Sequence, residues 1–265
     1  MTSSVFFDEI FKVNHKIEVI AHRGGGDLAA ENSILGMEKA AKLGASWSEI
    51  DVQRTKDGHY IINHDSTLER VTGKNNSSDE LTLSEVKHLK IHDLFNVNGA
   101  SQPIPTLEEY LDASKGKIKL FIELKGKTAD KQMADDVVKL VKQRGMEKNI
   151  AILSLDYNLI KYIKEKYPEI DTGYIYFFSL GDISKLKADF LIMEEQEVSE
   201  EKLDAIHQFG KKAIVWTVNT DESIDKFVLS NVDGIITDHA SKVNESLLYR
   251  DKRDDIQIII DSILK

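Results

Sequence analysis

Two short segments carry the strongest chemical signal in this chain, Glu49-Ile50-Asp51 and Glu123-Leu124-Lys125, each set in a brief β-rich apolar run. Residues i and i+2 of a strand share a face, so Glu49 points with Asp51 and Glu123 with Lys125. Three carboxylates converging on one mouth repel one another unless a cation sits between them. Oxygen ligands without cysteine favour one hard divalent ion, Mg²⁺ or Ca²⁺, with water or a substrate oxygen filling the remaining positions. Arg23 and Lys125 add fixed positive charge, which suits a phosphate and the charge its oxygens develop during displacement. His22 and His64 supply a general base and a general acid. Together these residues read as apparatus for metal-assisted phosphoester cleavage.

They can act together only if the fold gathers them. Eight β-rich runs, at 17–21, 48–52, 118–123, 150–154, 171–176, 188–193, 213–218 and 233–237, are each followed by a polar turn and a stretch with helical spacing. That alternation is the signature of βα units around a parallel sheet. Eight units predict a closed (β/α)8 TIM barrel, an α/β fold, whose reacting groups sit at the carboxyl ends of the strands. The polar residues fall there: His22-Arg23 after the first run, Glu49 and Asp51 in the second, Glu123 and Lys125 in the third, Trp216 in the seventh, Asp238 after the eighth. Trp216 would also serve as core packing. Gly24-Gly25-Gly26 lacks dinucleotide-fingerprint spacing and is read as a turn.

Strand starts lie about 20 to 30 residues apart except between the second and third, where about 70 intervene. The chain is therefore read as one domain over 1–265 with a small insertion at about 53–102, whose middle, 74–79, is a surface loop by composition. Lys56-Asp57-Gly58-His59 predicts a hairpin with Asp-Gly in a two-residue type I′ loop. In that register Lys56 faces His59 and His64 faces Asp51, which returns an imidazole to the carboxylates. The apolar pattern over 250–265 predicts a tail helix on the outside of the barrel.

Composition removes other classes. Of 265 residues none is cysteine, so disulfides, thiolate zinc sites and cysteine nucleophiles are excluded. A net charge of −10 argues against a nucleic-acid partner. No run approaches the length of a membrane span, and the first residues lack the long apolar stretch of a signal peptide, so the chain as given is expected to be soluble.

In order along the chain, Ala21-His22-Arg23-Gly24-Gly25-Gly26, Glu31-Asn32-Ser33, Glu49-Ile50-Asp51-Val52, Thr55-Lys56-Asp57-Gly58 and His64-Asp65 resemble the glycerophosphodiester phosphodiesterase family. The resemblance continues through Ile104-Pro105-Thr106-Leu107-Glu108-Glu109, Ile122-Glu123-Leu124-Lys125, Val215-Trp216-Thr217-Val218-Asn219 and Ile236-Thr237-Asp238, covering about 17–248. It implies a barrel with a small inserted subdomain that hydrolyses small glycerophosphodiesters to glycerol 3-phosphate and an alcohol. By motif position it makes Glu49, Asp51 and Glu123 metal ligands and His22 and His64 the acid/base pair. Arg23 and Lys125 become phosphate contacts, Asn32 part of the substrate-binding motif, and Trp216 a neighbour of the substrate's glycerol end. Its chemistry would proceed through a cyclic phosphate, formed by the substrate's own 2-hydroxyl and opened by water.

Ala30 and Ser33 stand where that family usually has proline and threonine, and Ser33 keeps the capping hydroxyl. Ser46-Trp47-Ser48-Glu49 resembles the branch found as a catalytic domain behind membrane-spanning segments. Residue 1 would then be an internal boundary of a longer, membrane-tethered parent chain, and the location cytoplasmic or membrane-associated. Two rival readings are a barrel phosphodiesterase acting on intact lipid, which needs an apolar rim at its mouth, and a binding module that has lost its chemistry. The polar run Asn75-Asn76-Ser77-Ser78-Asp79-Glu80 speaks against the first, and the intact histidines and carboxylates against the second. Oligomeric state and leaving alcohol are left open by the sequence.

Overall fold

The computed structural model describes residues 15–176 and 182–252. Its strands are β1 (Glu18–Ala21), β2 (Trp47–Arg54), β3 (Tyr60–Ile62), β4 (Lys90–Ile91), β5 (Gln102–Pro103), β6 (Lys119–Leu124), β7 (Ile150–Ser154), β8 (Asp171–Tyr176), β9 (Phe190–Glu194), β10 (Lys212–Trp216) and β11 (Gly234–Thr237). Eight of them pair in parallel in the order β1-β2-β6-β7-β8-β9-β10-β11, and β11 closes back on β1. These are the eight predicted strands, so the barrel expectation holds.

Alternation along each strand splits the apolar residues into two layers. One set faces outward against the helices, among them Val19, Ile50, Ile122 and Val215. The other fills the interior with Ile20, Trp47, Phe121, Phe190, Ile214 and Ile236. Trp47 and Phe121 lie 4.5 Å apart between ring centroids and Phe121 and Phe190 5.1 Å, an aromatic floor to the barrel. Two residues further toward the carboxyl ends, the same inward face carries His22, Glu49, Glu123, Trp216 and Asp238, and two further again Asp51 and Lys125. The dry floor and the charged mouth are consecutive layers of one set of strands.

The helix following β1, Ile34–Lys42, is capped by Ser33, whose hydroxyl accepts from the Gly36 N–H at 3.1 Å, as expected from its retained hydroxyl. The preceding glycine run is a turn with a steric requirement. Gly26 has φ +57°, and a Cβ there would overlap the Asp238 carbonyl, while one on Gly25 would meet the backbone of Gly36. Loop, helix and β11 are thus pressed together around His22.

The insertion between β2 and β6 has its own small core, including Ile61, Leu68, Val71, Val86, Ile91 and Ile104. Its surface-loop middle is in part buried: Ser78 is enclosed and donates to Gln53 Oε1 at 2.8 Å. The hairpin departs from the predicted register. Val52 pairs with Ile62, Gln53 with Ile61 and Arg54 with Tyr60, and the N–H of Asn63, not of His64, donates to the Asp51 carbonyl. A two-residue type I′ loop needs positive φ at both central residues; here Gly58 alone has it, at +86°, and Lys56-Asp57-Gly58 form a three-residue loop. The Thr55 hydroxyl stabilises this longer loop by accepting the His59 N–H and donating to Asp57.

The last helix, Ala240–Asp251, runs into the predicted tail. Arg250 is buried and donates to the carbonyls of Val228 and His15, while the rest of the tail reading lies outside the described residues. Among the described residues no helix is long and apolar enough to cross a membrane.

Candidate active site

Glu49, Asp51 and Glu123 meet at the mouth, each buried, with one oxygen of each lying within 4.8 Å of the others. Lys125 Nζ bridges two of them, 3.1 Å from Asp51 Oδ1 and 3.1 Å from Glu123 Oε2. The third, Glu49, accepts the Arg23 backbone N–H at 2.9 Å. Arg23 adopts φ +47° to aim that N–H, a left-handed conformation that is costly for a long side chain, and Asn32 at φ +56° donates its own N–H back to the Arg23 carbonyl.

One ammonium does not balance three buried carboxylates. Burial, then the charges of Asp51 and Glu123, drives the Glu49 carboxyl well above its ordinary value. Burial and Asp51 push Glu123 up to about 7. Burial opposes the ionisation of Asp51 too, yet Lys125, His64 and the Asn32 amide hold it down at about 2. The Asn32 Nδ2 donates to Asp51 Oδ2 at 2.9 Å, so the structure places Asn32 against a carboxylate. A buried, all-oxygen, over-negative cluster fits a divalent cation by its donor chemistry.

Both histidines stand at this cluster, each backed by an acid. His22 Nδ1 lies 2.8 Å from Asp238 Oδ1, and its Nε2 lies 4.0 Å from Glu49 Oε2. Asp238 is itself held by Asn219, whose Nδ2 donates at 2.6 Å. His64 Nδ1 lies 2.7 Å from Asp65 Oδ1, and Arg23 Nη2 donates to its Nε2 at 2.9 Å. Arginine can only donate, so this contact assigns His64 the tautomer with the proton on Nδ1. Burial above all, with the Lys125 and Arg23 charges, keeps the His64 imidazole below its ordinary value. In both rings Nδ1 is held by a carboxylate, while Nε2 faces the cluster in His22 and accepts from Arg23 in His64.

His64 therefore reaches the site by a route other than strand pairing. The β3 ladder stops at Ile62, and Gln53 Nε2 donates to the carbonyls of Asn63, His64 and Asp65, bending the chain back over the mouth. Trp216 lies on the inward face of β10, packed on the interior cluster at the mouth.

Sequence reasoning gave no role to Arg70, on the short helix Glu69–Thr72 of the insertion. It forks onto Glu31 at 2.7 Å from both Nη1 and Nη2 and onto Asp65 at 2.6 Å from Nε. Glu31 in turn faces Arg23 at 3.5 Å, which closes a ring Arg23–Glu31–Arg70–Asp65–His64. Although burial opposes it, hydrogen bonds from Arg70 and His64 bring Asp65 down to about 2. An arginine inside an aperiodic insertion leaves no spacing signal by which to find it. Arg70→Ala is expected to lower kcat about tenfold with a smaller change in KM, by loosening His64 and Arg23 together. Arg70→Lys should recover little, because the bidentate fork is lost. Steady-state kinetics of both variants, alongside their melting curves, make the check.

With this geometry in view, similarity to known proteins is informative. Residues 22–242 match the Glycerophosphoryl diester phosphodiesterase family. The chain is 31% identical over 229 residues to a glycerophosphodiester phosphodiesterase of Caldanaerobacter subterraneus subsp. tengcongensis, covering 84% of this chain and 94% of that protein. A glycerophosphodiester phosphodiesterase structure from Thermotoga maritima superposes with a TM-score of 0.69 at 27% identity, over 86% of this chain and 97% of the other. An Oleispira antarctica phosphodiesterase solved with its product sn-glycerol-3-phosphate shares the fold, with a TM-score of 0.78 at 24% identity over 87% and 96%. A match that begins at His22 and runs through every strand bearing a site residue leaves one assignment: the chain belongs to the glycerophosphoryl diester phosphodiesterase family and is a phosphoric diester hydrolase.

Proposed function

We propose that the chain, as one barrel domain with its insertion, hydrolyses glycerophosphodiesters to glycerol 3-phosphate and an alcohol. Glu49, Asp51 and Glu123 hold a single Mg²⁺ or Ca²⁺ ion, and His22 and His64 form the acid/base pair. The observation that carries the reading is the meeting of three buried carboxylates with two imidazoles, each held at Nδ1 by its own acid. When bound, the cation neutralises the carboxylates and draws charge from the phosphate oxygens.

The protein's own groups do the rest. Arg23 and Lys125 orient the phosphate and meet the charge developing on its equatorial oxygens. One imidazole Nε2 takes the proton of the substrate's 2-hydroxyl as that oxygen bonds to phosphorus. The other gives a proton to the departing alcohol. Water then opens the cyclic phosphate with the two roles exchanged. Asp238 and Asp65 stabilise whichever ring is the imidazolium. Trp216 covers the glycerol end of the substrate, and Asn32 serves the site by holding Asp51.

The test is release of glycerol 3-phosphate from glycerophosphocholine and glycerophosphoethanolamine with Mg²⁺, Ca²⁺ or chelator. Release that needs added metal and stops with chelator is expected, and the ion supporting the higher kcat identifies the native cofactor. Release undiminished after exhaustive chelation would remove the cation from the proposal, and no release from folded protein would remove the substrate.

A further inference from the structure

Beside the carboxylates, on the His22 side, lies a cavity of about 160 Å³ whose lining divides in two. His22, Arg23, Glu31, Arg70 and Asp238 make its charged wall, and Leu94 and Phe95 from the insertion make its lip. Leu94 is 45% exposed, Phe95 49% and the nearby Val97 91%. Three of the large apolar side chains that stand exposed among the described residues thus lie within four positions, and two of them line the cavity beside the candidate active site. Scattered exposed apolar residues are ordinary, but a cluster at a cavity marks a binding surface.

The loop presenting them has a defined form. Asp93 Oδ1 accepts the N–H groups of Phe95 and Asn96 at 3.0 and 2.9 Å, and the Gly99 N–H donates to the Asn96 carbonyl at 2.7 Å. The polar run at 75–80 lies elsewhere in the insertion, so the polarity of that run does not describe the rim of the mouth.

We propose that this lip seats an acyl chain, so that the preferred substrates are single-chain glycerophosphodiesters of the lysophospholipid class. The proposal rests on the phosphodiesterase reading above and narrows its substrate. A charged wall continuous with an apolar lip complements an amphiphile, with the phosphate toward Arg23 and the chain leaving over Leu94 and Phe95. Glycerophosphocholine has no apolar arm with which to cover them. The chemistry sets the other limit: the attacking group is a free 2-hydroxyl, which a 1-acyl substrate has and a diacyl lipid lacks. In the first step the 2-oxygen bonds to phosphorus and the headgroup oxygen leaves with a proton. Water then opens the ring, so one water is consumed and 1-acylglycerol phosphate and the free alcohol are formed.

The experiment measures choline release from glycerophosphocholine, from 1-lauroyl lysophosphatidylcholine below its micelle concentration, and from the matched dilauroyl lipid. The expected result is kcat/KM about tenfold or more higher for the lysolipid than for glycerophosphocholine, with the diacyl lipid untouched. The double variant Leu94→Ser/Phe95→Ser should bring the lysolipid to the level of glycerophosphocholine and leave the latter within about twofold. A wild type that cleaves glycerophosphocholine but the lysolipid no better overturns the proposal, as does a variant that loses both substrates alike. Folded wild type that cleaves neither fails at the phosphodiesterase reading itself, and the narrower proposal falls with it.

Discussion

Replacing His64 by alanine is expected to lower kcat for glycerophosphodiester cleavage by about 10²–10⁴-fold, the usual contribution of a positioned general acid or base. The fold should be retained, because His64 lies beyond the β3 ladder and Gln53 grips its carbonyl, not its ring. KM should move little, since Arg23 and Lys125 remain to meet the phosphate. His22→Ala should cost a similar amount, because its ring is held in the same manner, Nδ1 on Asp238 and Nε2 toward Glu49. Asp65→Asn, which keeps the shape and removes the charge that stabilises imidazolium, should give a smaller loss, falling on kcat. A His64→Ala enzyme retaining more than about a tenth of wild-type kcat would show that the imidazole is not the proton carrier, whatever its place in the structure.

How these residues were legible in the sequence follows from how each is positioned. The barrel residues obey a rule of period two: Trp47, Glu49 and Asp51 lie on one face of β2, and Phe121, Glu123 and Lys125 on one face of β6. A strand can be found from composition, and its inward face follows from which residues are apolar at the floor. The hairpin spacing brings His64 to the site in a register one residue off, because a three-residue loop and a two-residue loop share the Asp-Gly signal, and which one forms turns on whether Asp57 takes positive φ and Lys56 stays in the strand. His64 reaches the mouth nonetheless because Gln53 gathers three successive carbonyls, a contact no periodicity encodes. Arg70 and the Leu94-Phe95 lip are set by the tertiary packing of the insertion around Leu68, Val71 and Ile91. Composition described that segment as polar, which is true of its sequence and not of the edge it turns toward His22.

The carboxylate cluster yields the other large effect, and its sign differs between stability and activity. In the metal-free protein Glu123 titrates at about 7, against an ordinary value of 4.5, and Glu49 is raised also. The folded state therefore holds protons that the unfolded chain has released, and stability falls as pH rises from about 4.5 through about 7. A chelated sample should melt lower at pH 8 than at pH 5.5 in its contribution from this site. Divalent cation binds the deprotonated cluster, so the rise in Tm on adding it should be greater at pH 8; at about a hundredfold over Kd it amounts to roughly 5–10 °C. Glu123→Gln removes one of three like charges while Lys125 keeps Asp51 as its partner. That variant should melt above wild type in chelator at pH 8, gain less from added cation, and lose at least about 10²-fold in kcat/KM. Thermal unfolding of the two proteins with chelator and with cation, at the two pH values, separates the alternatives. If Glu123 instead served the fold by its ion pair with Lys125, the variant would melt lower than wild type in chelator, and the cation would raise the Tm of both proteins equally.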